Sequence, residues 1–102
     1  MVMGLSMVEY EFKLRRQPDG SFWIACQYLV GLKWLPMFLS PKTEKQFREW
    51  LSRAQNLLNP EIAETLRRQA FEGESVSPIR FRSGTAEMKN LGCRVPRGYA
   101  AG

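Results

Sequence analysis

Histidine is missing altogether from the 102 residues of this chain. Its absence removes the commonest general base and metal ligand, and with it the Ser-His and Cys-His pairs that activate a nucleophile. Cysteine is almost as scarce: Cys26 and Cys93 are the two present, too few and too far apart to read as a zinc site or a disulfide framework. Cys26 falls in a strand-like run and reads as a small buried hydrophobe, whereas Cys93 is a candidate exposed thiol. Long apolar runs are lacking too. The longest, residues 29–39, is broken by Gly31, Lys33 and Pro36 and falls short of the roughly 20 residues that span a bilayer. Residues 1–7 carry no basic residue ahead of an apolar stretch, so neither a membrane partner nor a secretory signal is expected, and a cytoplasmic location is the default. Phosphate loops, dinucleotide fingerprints, nucleophile elbows and calcium loops are all absent. No cofactor or metal is therefore expected, and a binding module is favoured over an enzyme.

What remains is an ordinary globular composition, 44% hydrophobic and 25% charged, in a chain long enough for one domain to bury a core without staples. Its net charge of +5 is unevenly placed. Residues 1–74 hold ten basic and nine acidic side chains, whereas residues 75–102 hold Arg80, Arg82, Lys89, Arg94 and Arg97 against Glu87 alone. Such a local excess points to an acidic partner.

Val8, Tyr10, Phe12 and Leu14 alternate with Glu9, Glu11, Lys13 and Arg15, the period of a strand with one buried and one wet face. Pro18-Asp19-Gly20-Ser21 then predicts the turn of a hairpin. On the return arm Phe22, Ile24, Cys26, Tyr28 and Val30 share one face, and Trp23, Ala25 and Leu29 join only Gln27 on the other. Both faces are apolar, which predicts a central strand or a second face covered by another layer or another copy. A third strand is expected near residues 36–40. Ser40-Pro41 and Thr43 with Gln46 offer competing caps for a helix whose stripe is Phe47, Trp50, Leu51, Ala54, Leu57 and Leu58. Asn59-Pro60 caps a second helix with Ile62, Ala63, Leu66 and Ala70 inward and Gly73 as its stop. Ile79 and Phe81 alternate with Arg80 and Arg82 in an edge strand with a cationic outer face, and residues 85–91 suit one or two helical turns before Gly92.

The predicted fold is α+β: an antiparallel β-sheet, a hairpin plus one or two further strands, with a two-helix pair packed on one face in the order β-β-(β)-α-α-β. Residues 8–82 are read as the folded core, residues 1–7 as a leader, and residues 83–102 as a basic, weakly structured segment. The hairpin of residues 10–30 with Asp19-Gly20 at its turn, followed by Gly31 and a helix opening near Thr43, resembles in element order the β-β-β-α start of HicB-type antitoxins. That likeness spans less than half the chain, the Pro-Gly often found at the end of that family's second strand is absent, and no clear DNA-binding motif follows. No residue or function is carried over.

Two binding readings follow from the residues themselves. In the first, the module self-associates through the apolar outer face of the hairpin, a homo-oligomer with the dimer favoured. An acidic partner, nucleic acid or acidic protein, then meets Arg80, Arg82, Lys89, Arg94 and Arg97, near Phe81 and Tyr99. In the alternative, Trp23, Tyr28, Trp34, Met37 and Phe38 line a pocket for a small molecule. Trp50, on the buried stripe of its helix, is assigned to the core. The carboxylates Glu61, Glu64, Glu72 and Glu74 are read as a solvated helix face rather than a catalytic cluster.

Overall fold

The alternating segment forms β1 (Met7–Arg16), with Val8, Tyr10, Phe12 and Leu14 turned toward the core. The structure, a computed structural model, describes residues 7–95. After β1, Asp19 Oδ1 accepts hydrogen bonds from the Ser21 amide at 2.9 Å and the Ser21 hydroxyl at 2.7 Å. Those two bonds, the amide first, hold the Asp19 carboxyl below its ordinary range. The chain reverses into β2 (Phe22–Val30), which pairs Arg16 with Phe22 and Tyr10 with Tyr28.

The third strand begins earlier than the sequence suggests. It is β3 (Lys33–Met37) rather than residues 36–40, and it pairs Val30 with Lys33 and Cys26 with Met37. Only Gly31 and Leu32 separate the strands, and Gly31 at φ 63° occupies the first loop position, where a two-residue hairpin of the II′ kind needs glycine. Pro36, which breaks the local pattern, is tolerated because β3 is an edge strand. A Cβ added at Gly31 would meet nothing within 4 Å, so Gly31→Val tests backbone strain alone. We expect it to cost about 1–2 kcal/mol; an unchanged urea midpoint would count against this hairpin.

Of the two competing caps, Thr43 is used. The Gln46 amide donates to its hydroxyl at 3.2 Å, and its own amide donates to Gln46 Oε1 at 3.0 Å, opening α1 (Glu44–Leu57). Lys42 is instead drawn into a backbone bridge with Phe22. Asn59 Oδ1 accepts from the Glu61 amide at 2.7 Å and Pro60 begins α2 (Pro60–Phe71). The inward stripes of both helices are buried except at Leu57 and Leu58, which are partly so, and they bring Phe47 over Phe22 with ring centroids 4.6 Å apart and Trp50 onto Phe12 at 5.6 Å.

β4 (Ile79–Gly84) returns antiparallel along the free edge of β1, giving a four-stranded sheet in the order β3-β2-β1-β4. α3 (Thr85–Asn90) follows, and the chain folds on past it. Met88, Leu91 and Cys93 all join the core. Cys93 is therefore not the exposed thiol that the sequence suggested: it is 3% exposed. Two long-range ties account for its burial. The Trp50 indole donates to the Leu91 carbonyl at 2.9 Å, and Arg94 and Phe38 exchange backbone hydrogen bonds. Among the described residues no helix is long and apolar enough to cross a membrane.

Candidate functional site

Strand parity decides which side chains share a face, and the register puts Glu9, Glu11, Lys13 and Arg15 of β1 beside Trp23, Ala25, Gln27 and Leu29 of β2. The same outer face takes Trp34 and Pro36 from β3, opposite Leu29 and Gln27, and Arg80 and Arg82 from β4, opposite Glu11 and Glu9. Among the described residues no helix lies over this face; the core lies on the other. The second face of β2 is thus open, with Trp23, Ala25, Gln27 and Leu29 half-buried by neighbouring side chains.

Those neighbours form a chain of contacts across all four strands. The Arg15 guanidinium lies 5.8 Å from the Trp23 ring centroid, and Arg80, reaching across the two central strands, lies 5.2 Å from that of Trp34. Between them Glu11 is held at both oxygens, by Arg80 Nε at 2.9 Å and Gln27 Nε2 at 2.6 Å. Its side chain is 11% exposed, whereas that of Arg80 is 60% exposed. The result is a groove of about 250 Å³ walled by Lys13, Arg15, Trp23 and Pro36, with Gln27 and Glu11 also lining it. Aromatic rings, cations and a fixed amide lie together on an open surface.

On the opposite side of the sheet lies an apolar cavity of about 360 Å³. Val8, Tyr10, Tyr28 and Met37 form its sheet wall, Met88 and Cys93 lie across from them, and Lys89 and Arg94 line it as well. Hydrogen bonding to Cys93, and burial, push the Cys26 thiol up; both cysteines are free and buried, which makes them inert. Burial, with the nearby Cys26 and Cys93 thiols adding to it, pushes the Tyr10 phenol up from 10.0 to about 12. The neutral phenol is the form the fold prefers, so its contribution is complete below pH 10 and is lost as the pH rises toward 12. Urea midpoints measured across that interval should fall for the parent and fall less for Tyr10→Phe. Equal slopes would contradict the burial of this hydroxyl.

The structure divides the residues singled out in the sequence. Arg80 and Arg82 lie on the outer face with Trp23 and Trp34; Lys89 and Arg94 lie at the helix-side cavity with Tyr28 and Met37. Phe38 is 55% exposed and lines neither the groove nor the cavity, while Arg97 and Tyr99 lie outside the described residues. Lys13 and Arg15 were not singled out, although their alternation with Leu14 already marked them as facing away from the core. Three of the four carboxylates are tied to arginines: Glu64 pairs with both Arg67 and Arg68, Glu72 with Arg67 and Glu74 with Arg68. Hydrogen bonding from Arg67 lowers the Glu64 carboxyl from its ordinary value. Among the described residues no three His, Cys, Asp or Glu side chains group as a metal site would require.

Comparison with known proteins returned no match, whether with family models, curated proteins or solved structures. The functional reading therefore rests on the geometry of the two faces.

Proposed function

We propose that this chain is a non-enzymatic binding module whose open sheet face takes single-stranded nucleic acid. One observation carries the reading: Trp23 and Trp34 stand on the same uncovered face as Lys13, Arg15, Arg80 and Arg82. An unpaired strand offers flat bases to stack and phosphates to neutralise, and a sheet that interleaves indole rings with cations meets both needs at once. A duplex hides its bases and would use only the charge. The free cysteines agree with a reducing, cytoplasmic setting.

The competing occupant of the same face is a second copy of the chain. Stacked about a two-fold axis, two such faces would set cations against cations, with Glu9 and the already engaged Glu11 as the only carboxylates among the described residues to receive them. We therefore expect a one-chain mass by sedimentation at micromolar concentration. Fluorescence anisotropy of a labelled mixed-sequence oligonucleotide tests the reading: salt-sensitive binding should weaken in Lys13→Gln/Arg15→Gln/Arg82→Gln and persist in Lys45→Gln/Arg53→Gln on the far side of α1. A two-chain mass with no oligonucleotide binding would overturn it in favour of self-association.

A further inference from the structure

The cavity beneath α3 lies across the sheet from the open face and does not depend on the nucleic-acid reading. We infer that it is a binding site for a small amphipathic carboxylate, a free medium-chain fatty acid, whose tail lies against Tyr28, Met37 and Met88 and whose acid group meets Lys89 and Arg94. At about 360 Å³ it falls at the lower end of small-molecule sites, which run roughly 300–1,000 Å³. Its walls are nearly all apolar, which favours a hydrocarbon tail.

The charge at this cavity selects the head group. Among the described residues Lys89 and Arg94 are the only charged ones that line it, and both are cations. Among the described residues neither forms a salt bridge, and residues 1–6 and 96–102 contain no aspartate or glutamate that could supply one. Glu87, the one acidic side chain on α3, does not line the cavity. Tyr10, 2% exposed, borders the cavity from the sheet side.

The test uses the full chain and decanoate, with decanol and decyltrimethylammonium as neutral and cationic counterparts, read through the ε-methyl resonances of Met37 and Met88. Decanoate should shift both methyls saturably. In Lys89→Gln/Arg94→Gln, two exposed positions whose change leaves the core intact, its affinity should fall by roughly tenfold or more while that of decanol stays within about twofold. Phosphatidylglycerol vesicles should leave the methyls unmoved, because the occupant is a free acid and not a membrane lipid. The inference is overturned if decanoate binds without moving either methyl or fails to bind. Equal decanoate affinity in the double variant, equal affinity of the cationic analogue for the parent, or methyl shifts produced by the vesicles would overturn it as well.

Discussion

Trp50→Ala is expected to remove about 3–5 kcal/mol of stability, the range for truncating a buried large aromatic side chain and a large share of the roughly 5–15 kcal/mol that holds a domain of this size together. Trp50 is 1% exposed, packs edge-on to Phe12 at 5.6 Å, and lies nearly parallel to Phe47 at 6.5 Å. It therefore joins α1 to the central strand of the core. Its second role is polar: the indole N–H donates to the Leu91 carbonyl at 2.9 Å, fixing the end of α3 against α1. Trp50→Phe separates the two roles. It keeps most of the ring's packing but leaves a buried carbonyl without its donor, a cost of about 1–3 kcal/mol. Amide exchange around residues 88–93 should then quicken while the sheet stays protected. Urea unfolding of both variants checks this; a loss below about 1 kcal/mol for Trp50→Ala would mean that the aromatic centre is not packed as described.

The second large effect concerns the open face. For a single-stranded nucleic acid each indole that stacks a base contributes about 1–3 kcal/mol, so Trp23→Ala and Trp34→Ala should each weaken binding roughly 5- to 150-fold. The three-cation variant acts differently. Each lost phosphate contact reduces the slope of log K against log salt by about 0.7, so neutralising Lys13, Arg15 and Arg82 should flatten it by roughly 2. Arg80 is left in place for a physical reason. It satisfies the nearly buried Glu11, and removing it would leave that carboxylate partly unpaired and confuse binding with stability. Tryptophan variants that lose affinity without changing the salt slope, beside a cation variant that changes it, would separate stacking from charge. If all variants keep the parent's affinity and slope, the face is not the site.

How far the chain could be read from its residues depended on whether the signal was local. Val8 to Leu14 announce β1 through alternation, Asp19-Gly20 announces the first turn, and Asn59-Pro60 announces the junction of the two helices; each is decided within a few residues. Ile79 and Phe81 likewise revealed β4 and its cationic outer side. β3 was misplaced because Pro36 disrupts a pattern whose real anchor is the tight Gly31 turn before it. The burial of Cys93 was invisible because nothing near it is periodic; the Trp50 to Leu91 hydrogen bond and the Phe38 to Arg94 bridge impose it from more than forty residues away. The site was legible only in part, for the same reason. Arg80 meets Glu11 from 69 residues along the chain, and only the insertion of β4 beside β1 shows that Arg80 and Arg82 share a face with Lys13 and Arg15 while Lys89 and Arg94 do not.

Amide chemical-shift mapping with an unlabelled mixed-sequence oligonucleotide tests the central claim most directly, because it locates contact strand by strand. The shifts should concentrate in β1 to β4 at Lys13, Arg15, Trp23, Gln27, Trp34 and Arg82, with α1 and α2 silent and the Trp23 and Trp34 indole signals moving together. Shifts gathered instead around Lys89 and Arg94, or a spectrum unchanged at saturating oligonucleotide, would contradict it.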